Sequence, residues 1–307
     1  MSRAATLPHH CSIAARAAPA APLDTVFFSG PATAIGQFNC PVQHPAFRDS
    51  GAIERPIVVF PRTSVWIRHA GSRSFVADPN VVTIYNRAQR YERAPVSPDG
   101  DRCDWFAVSD DLAREIAGAF DPAASESASR AFRFENAPCT PALYLRQRCV
   151  LVRAAAGAAD ALETEGNVIG IVSEVMALAY RRAPVPLARR AAAARRRRDL
   201  VEQAKAELLR TVTDNRSVSD IARAVNTSEF HLCRIFRAAT GRTLHGYRTG
   251  LRVRLALELL GDARAGASIT DVAHHLGFAS HAHLVHHCRR HLGATPSAVR
   301  EQLRAAR

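Results

Sequence analysis

The chain has 307 residues, of which 47% are hydrophobic and 22% are charged, and its formal net charge is +13 at pH 7. This composition is typical of a globular protein that is long enough to form two domains. No apolar run reaches the roughly 20 residues that a membrane-spanning helix needs. The sequence therefore excludes an integral membrane protein, and no membrane partner is expected.

The charge is divided unevenly along the chain. Residues 1–180 hold 17 Arg and no Lys against 18 Asp and Glu, a net charge of −1. Residues 181–307 hold 24 Lys and Arg against 10 Asp and Glu, a net charge of +14. A basic half beside a near-neutral half indicates that one domain approaches a polyanion, most commonly a nucleic acid. An anionic membrane surface and a merely solubilising charge are the alternatives.

The chain has seven cysteines, and no two of them have the two-residue gap of a zinc knuckle. Residues 1–23 are predicted to be a disordered tail rather than a signal peptide, because Arg16, Pro19 and Pro22 interrupt any apolar core. Reduced thiols and a cytoplasmic location are therefore expected.

Residues 24–108 are predicted to be rich in β-strands. Short β-branched or aromatic runs occupy residues 56–60, 64–69, 74–77 and 81–85, and turn residues separate them. This spacing predicts a small barrel or sandwich. A loop is predicted at residues 95–101, towards the end of this region.

Three helical patterns follow, at residues 111–120 with Asp110 as N-cap, at 143–159 and at 167–180. Some apolar side chains of the last two helices fit either the sheet or a second subunit, so a homodimer is predicted. They are Leu143, Val150, Ile169, Val172, Val175 and Met176.

Residues 181–198 are predicted to be a linker between a domain at residues 24–180 and a domain at residues 199–307. The segment contains eight Arg, and Pro184 and Pro186 prevent a continuous helix until about Ala191. Residues 195–198, four consecutive Arg, fit either a phosphate contact or a solvated helix start.

The C-terminal part contains an internal repeat. Ser217–Gly241 and Ser268–Gly293 share one pattern: Ser, aliphatic, Ser or Thr, Asp, aliphatic, Ala, a helix end, Ser, and a second helix that ends at Gly. Ser219 and Thr270 are predicted to cap the first helix of each copy, and Ser228 and Ser280 the second. Asn226 and Gly277 suit the left-handed turn between the helices.

Each copy has the pattern of a helix-turn-helix unit, and its second helix is expected to lie in the DNA major groove. In the first copy, Leu232, Ile235 and Phe236 form the buried stripe. In the second copy, Leu284 and Cys288 face inward. The predicted DNA-binding residues are the outward ones: Phe230, His231, Cys233, Arg234, Arg237, His281, His283, Val285, His286 and Arg289. Leu244–Leu260, an apolar-striped helix about 25 Å long, connects the copies.

Residues 199–303 resemble the DNA-binding domain of the AraC/XylS family of transcription regulators. The second copy carries the I-x-D-x-A, G-F and G-x-T-P-x-x-x-R motifs of that family at Ile269, Asp271, Ala273, Gly277, Phe278, Gly293, Thr295, Pro296 and Arg300. The first copy matches at Ile221, Ala222, Leu232, Arg234, Phe236 and Gly241, and the connecting helix at Arg252, Ala256, Leu259 and Leu260. Three positions depart from the family pattern: His286, Cys288 and Val299.

The resemblance implies that Phe230, Cys233 and Arg234 face bases in one major groove of double-stranded DNA. His281, His283, Val285 and His286 would face bases in the next groove. The N-terminal half is more loosely similar to the cupin-like sensor domains that often precede such a domain. The predicted fold class is therefore α+β with two domains: a cupin-like barrel with flanking helices, and an all-α domain of two helix-turn-helix units joined by a long helix.

Two other kinds of site are considered. One candidate metal site in the barrel consists of Cys40, His44, His69 and Cys103, but the paired His-x-His of a metal-binding cupin is absent. The histidines at 281–291 form a second candidate, and they suit contact with the DNA groove better than metal binding. Cys139, between two prolines, suggests an exposed thiol but has no nearby histidine to activate it. No metal, cofactor or catalytic residue is predicted.

The sequence thus predicts a sequence-specific transcription factor, with a small-molecule effector or partner sensed by the N-terminal domain and RNA polymerase as a further partner. The alternative is a DNA-repair or group-transfer enzyme that uses Cys40, Cys103 or Cys139. A purely architectural DNA-binding protein is the third class considered.

Overall fold

The computed structural model of the protein describes residues 23–49, 51–121, 130–157, 160–182, 191–261 and 267–306. The strands are β1 Asp24–Ser29, β2 Thr33–Cys40, β3 Ile57–Pro61, β4 Val65–His69, β5 Phe75–Ala77, β6 Val81–Tyr85, β7 Tyr91–Pro95, β8 Asp101–Val108 and β9 Asn136–Pro138. The helices are α1 Asp110–Gly118, α2 Pro141–Ala155, α3 Ala161–Arg182, α4 Ala191–Arg210, α5 Val218–Ala224, α6 Glu229–Thr240, α7 Leu244–Gly261, α8 Ile269–His275, α9 His281–Leu292 and α10 Pro296–Ala305.

The N-terminal domain consists of two antiparallel sheets. The six-stranded sheet has the order β1-β2-β8-β3-β6-β9, and the three-stranded sheet has the order β5-β4-β7. Strand β8 pairs along its whole length with β2, from Val108 opposite Thr33 to Asp101 opposite Cys40. The four predicted strands and the loop before Asp101 are confirmed, and five further strands complete the sheets.

The larger sheet uses its two faces differently. One face, which includes Phe38 and Val59, encloses an apolar interior with the three-stranded sheet. The other face, which includes Val58 and Phe106, packs under the helices of the same domain. The α+β prediction, with a β-rich N-terminal domain and an all-helical C-terminal domain, is confirmed.

The helices differ from their predicted limits. The N-cap of α1 is Ser109, not Asp110, because the Ser109 backbone is extended and its hydroxyl accepts a hydrogen bond from the Leu112 N–H. Asp110 instead lies in the first turn, where the helix dipole favours its charge. Helix α3 ends at Arg182 and α4 begins at Ala191, so both reach into the predicted linker, whose residues 183–190 lie outside the described residues. The predicted tail, apart from Leu23, also lies outside them.

Of the two alternatives for the apolar side chains of α2 and α3, packing within the chain is confirmed for most of them. Leu143, Val172, Val175 and Met176 are 0–1% exposed because they pack inside their own chain, between the sheet and the helices. Of the six predicted side chains, only Ile169 (37% exposed) and the half-buried Val150 still reach the surface.

Candidate nucleic-acid interface and sensor cavity

Both copies of the repeat fold as helix-turn-helix units with the same capping. The N-caps of α5 and α8 are Ser217 and Ser268, not Ser219 and Thr270 as predicted. Each serine forms a capping box with the acid three residues later, Asp220 or Asp271. The box satisfies two otherwise unpaired N–H groups, which is why the helices begin two residues earlier.

The turns and second helices agree with the predictions. Asn226 and Gly277 have left-handed backbones, with φ of 52° and 72°. Ser228 and Ser280 cap α6 and α9, and each of these helices ends at a glycine with φ of 72°. The two units are therefore built alike, and each presents its second helix on a short, rigid turn.

The inner faces of the two second helices are buried as predicted. Leu232, Ile235 and Phe236 fill the core of the first unit. Leu284 and Cys288 are fully buried in the second unit. His287 is also buried there, 9% exposed, which the sequence pattern did not indicate.

The predicted DNA-binding residues lie on the other side of these helices. Cys233, Arg234, Arg237, His281, His286 and Arg289 are exposed, whereas His231, His283 and Val285 are half-buried. Phe230 lies on α6, but its side chain is outside the described part of the chain. The outer faces thus carry Arg and His side chains, whose N–H groups can donate hydrogen bonds to phosphates and base edges.

His283 is already engaged within the protein. Its Nδ1 accepts a hydrogen bond from the Ala279 N–H at 3.3 Å, and its Nε2 lies 2.9 Å from the Nε2 of His287. A base contact through this ring would have to break one of these bonds, so its predicted role stays a prediction. Nowhere among the described residues do three His, Cys, Asp or Glu side chains come together as a possible metal site.

Arg252 on α7 fixes the two units relative to each other. Its guanidinium donates to the Val212 and Asp214 carbonyls before the first unit, at 2.6 and 2.9 Å, and to the Gly277 carbonyl in the turn of the second, at 2.7 Å. Burial and the nearby charge of Arg248 lower the pKa of Arg252 to about 10, so it stays protonated at neutral pH. The sequence analysis identifies Arg252 only as a position that matches the AraC/XylS pattern, and it does not predict these hydrogen bonds.

A buried polar group on α7 contacts the N-terminal domain. Arg254 is 0% exposed and donates to Asn80 Oδ1, the Cys139 carbonyl and the Gly250 carbonyl. The Tyr247 hydroxyl donates to the carboxylate of Asp78, whose pKa is raised by burial. No local sequence pattern indicates this contact, because its partners in the two domains are more than 100 residues apart.

A second contact between the domains centres on Glu258 of α7. Its carboxylate accepts from Arg62 Nε at 2.7 Å and from the Tyr144 hydroxyl at 3.2 Å, and it lies 3.2 Å from Arg148 Nε. Arg148 also donates to Asp104 of β8 at 2.8 Å. A chain of charged groups therefore runs from the six-stranded sheet to the helix that joins the two units.

The cysteines of the enzyme alternative are buried. Cys139 is 0% exposed, so the expectation of an exposed thiol is wrong: the residue packs at the start of α2 under the sheet. Burial raises its pKa to about 11 and raises the pKa of the Cys40 and Cys103 thiols. A buried, protonated thiol is a poor nucleophile.

A cavity of about 410 Å³ lies between the two sheets. Its walls come from both sheets and include Phe38, Tyr85, Tyr91 and Trp105, and its volume falls in the range of small-molecule sites. The N-terminal domain thus has a cavity, open to the surface, that is large enough for a small ligand.

Comparisons with known proteins agree with this geometry. Residues 221–302 match a family model described as a helix-turn-helix domain. The chain is similar to an AraC-type transcriptional regulator from Chromobacterium violaceum, with 28% identity over 34% of this chain and 92% of that one, and a TM-score of 0.33. It is similar to the DNA-binding domain of the global transcriptional factor AdpA, solved with target DNA, with 31% identity over 35% and 95% of the two chains and a TM-score of 0.33.

Longer but weaker similarity extends to ToxT of Vibrio cholerae bound to an unsaturated fatty acid. The identity is 12% over 90% of this chain and 97% of that one, with a TM-score of 0.34. No curated protein matches the chain.

The paired units and the outward cations of their second helices define a DNA-binding transcription regulator of the double helix-turn-helix class. The matching family model covers residues 221–302, and this part of the chain is therefore an AraC-type helix-turn-helix domain. No helix within the described ranges is both long and apolar enough to cross a membrane.

Proposed function

We propose that the protein regulates transcription by reading one DNA site with α6 and α9 in two successive major grooves. The observation that carries this proposal is the pair of identically capped units, which Arg252 holds together on one basic domain. Helix α7 has 18 residues and is about 27 Å long, which suits recognition helices placed one DNA turn apart. We further propose a cytoplasmic location and RNA polymerase as a partner, as expected from the sequence.

The proposed base-reading residues are the ones predicted from the sequence, with Arg234 as the principal one. Arg234→Ala should weaken binding to the specific site by about 1–3 kcal/mol and relax the preference at one base pair. Fluorescence anisotropy against the upstream DNA of the gene, against single-base variants of it and against a shuffled sequence measures both effects.

The matched control is Arg102→Ala, which removes an exposed arginine from the N-terminal domain. It should leave the binding unchanged. An equal loss for Arg234→Ala on specific and shuffled DNA would show that Arg234 contacts phosphate only. Absence of DNA binding by the unaltered chain, with and without candidate effectors, would contradict the proposed function.

The N-terminal domain is proposed to sense a small molecule in its cavity rather than to catalyse a reaction. The cavity between the sheets supports sensing, and the buried, protonated thiols argue against cysteine catalysis. Arg254 and Glu258, both on α7, connect the proposed sensor domain directly to the DNA-binding units through hydrogen bonds and ion pairs.

A homodimer is proposed through the outer face of α3. Leu162 is 80% exposed and Ile169 is 37% exposed, and seven residues place them on the same side of the helix. Leu162→Glu should therefore lower the mass measured by light scattering from that of a dimer to that of a monomer. The control Glu163→Gln, on the same helix but in an exposed ion pair with Arg153, should leave the mass unchanged.

A further inference from the structure

We infer that the sensor cavity takes a compact apolar or aromatic molecule that carries a positively charged amine, and that it rejects carboxylates. The inference rests on the proposed sensing function, since it names the chemical class of the effector for that same cavity. Three features of the cavity carry it: aromatic walls, acidic groups at the mouth, and a neutral interior.

The walls of the cavity present aromatic rings to the ligand. The Trp105 indole packs against Gly36 of β2. A Cβ on residue 36 would lie 2.2 Å from the indole ring and 2.5 Å from the Thr25 carbonyl oxygen. The indole therefore takes this position only because residue 36 is glycine. Tyr85 and Tyr91 pack with ring centroids 4.8 Å apart on the other side. The faces of such rings attract cations and apolar groups.

The charged groups that line the cavity are mostly acidic. They are the carboxylates of Asp24, Glu54 and Asp101 and the guanidinium of Arg55. Asp101 is neutralised by the buried Arg93, whose Nη1 lies 2.6 Å from Oδ2 and whose Nε and Nη2 donate to the carbonyls of Phe47 and Ala46. Asp24, Glu54 and Arg55 therefore give the mouth a net charge of −1.

Neither of these two carboxylates is in an ion pair within the described part of the chain. Asp24 Oδ1 accepts a hydrogen bond from Trp105 Nε1 at 2.8 Å, which holds the acid at the edge of the aromatic wall. Burial raises the pKa of Asp24 and repulsion from Glu54 adds to this, whereas the Trp105 hydrogen bond and the charge of Arg93 lower it. A bound cation would relieve this repulsion, whereas a bound anion would add to it.

The interior offers hydrogen bonds but no free charge. Thr83, Tyr85 and Cys103 line its deeper part, and burial raises the pKa of the phenol and the thiol, so both stay neutral. The apolar body of the ligand therefore lies inside, and its ammonium group lies at the mouth beside Asp24 and Glu54.

The test uses three probes of similar shape and different charge: 2-phenylethylammonium, 2-phenylethanol and 3-phenylpropionate. Isothermal titration calorimetry on the full chain should show the ammonium binding about tenfold or more tightly than the propionate. The double variant Asp24→Asn/Glu54→Gln should reduce ammonium binding to the level of the alcohol, which should itself be unchanged. The control Asp99→Asn, an exposed acid outside the cavity, should bind all three probes like the unaltered chain.

Ala77→Phe places a ring inside the cavity and should abolish binding, with circular dichroism confirming that the variant is folded. Binding that survives this substitution would overturn the inference, because the probe would then lie elsewhere. Tightest binding of the propionate, lost in Arg55→Gln, would overturn it in favour of an acidic ligand, and binding of no probe would also overturn it.

Anisotropy with the upstream DNA on the same preparation separates this inference from the proposed function. A chain that binds its DNA but none of the probes retains the proposed DNA-binding function and loses the ligand class. A chain that binds the ammonium in the cavity but no DNA retains the ligand class and loses the proposed function.

Discussion

The buried side chain of His287 makes the stability of the second unit depend on pH. Burial first, and then the charges of His283, His291, His286 and His245, lower its pKa from 6.5 to about 4. A histidine with a lowered pKa in the folded state resists protonation there but not in the unfolded chain. The folded state is therefore favoured above the unfolded pKa and loses stability as the pH falls from 6.5 towards 4.

We expect acidification from about pH 7 to about pH 5 to cost about 2 kcal/mol of unfolding free energy through this group. His287→Phe cannot take up the proton, so its stability should fall correspondingly less over the same range. Urea unfolding at the two pH values measures the difference. His274→Gln, at an exposed position on α8, should behave like the unaltered chain, and an equal loss in His287→Phe would refute the assignment.

At this scale the sequence predicted surface residues better than buried polar ones. The exposure of Arg234 and Arg237 follows from helical periodicity, which needs only local information. Arg254 lies on the same kind of helix, but it is buried because Asn80 and Cys139 supply its acceptors from a distant part of the chain. No local pattern encodes such partners.

Two glycines of the second helix-turn-helix unit have left-handed backbones, but only one of them is also in a crowded position. Gly277 has a φ of +72°, and a Cβ there would lie 2.2 Å from the Thr213 carbonyl and 2.7 Å from Arg252 Nη2. Gly293 has the same φ, but a Cβ there meets nothing within 4 Å. The two positions therefore share the backbone strain and differ only in the space available.

Gly293→Ala should lower the free energy of unfolding by about 1 kcal/mol, because the Cβ of alanine disfavours the left-handed backbone. Gly277→Ala should cost about 1–3 kcal/mol more, because it also displaces Arg252 or the chain before the first unit. Denaturant unfolding of the two variants measures this difference, and anisotropy should show weaker DNA binding for Gly277→Ala alone. Equal stability of the two variants would mean that the neighbouring groups yield freely.

Some strands of the N-terminal domain can be predicted from the sequence, and others cannot. Strands β3 to β6 are β-branched or aromatic runs with clear turns, so local propensity was enough. Strand β8 was missed because it contains Asp101, Arg102 and Asp104, residues that are rare in strands. Its two acids are tolerated in the sheet because Arg93 and Arg148 pair with them.

At the scale of the whole molecule, the two helix-turn-helix units have different surroundings. The first unit has a hydrophobic core of its own, formed by α4 to α7 around Leu232 and Phe236. The second unit shares a continuous core with the N-terminal domain, in which Leu284 and Cys288 join Leu143 and Phe106. The apolar core of the N-terminal domain therefore continues into α9 of the second unit but not into α6 of the first.

Leu232 and Leu284 test this difference because they occupy equivalent places in the repeat and both are 0% exposed. Each Leu→Ala substitution should cost about 2–5 kcal/mol locally. Hydrogen exchange measured by mass spectrometry should show faster exchange for Leu232→Ala in α4 to α7, which share its core, but not in α2 of the N-terminal domain. For Leu284→Ala the loss of protection should extend from α8 and α9 into α2 of the N-terminal domain, because these elements share one core. Loss confined to α8 and α9 would show that the shared core does not couple the domains, and sensing would then depend on the polar contacts of Arg254 and Glu258.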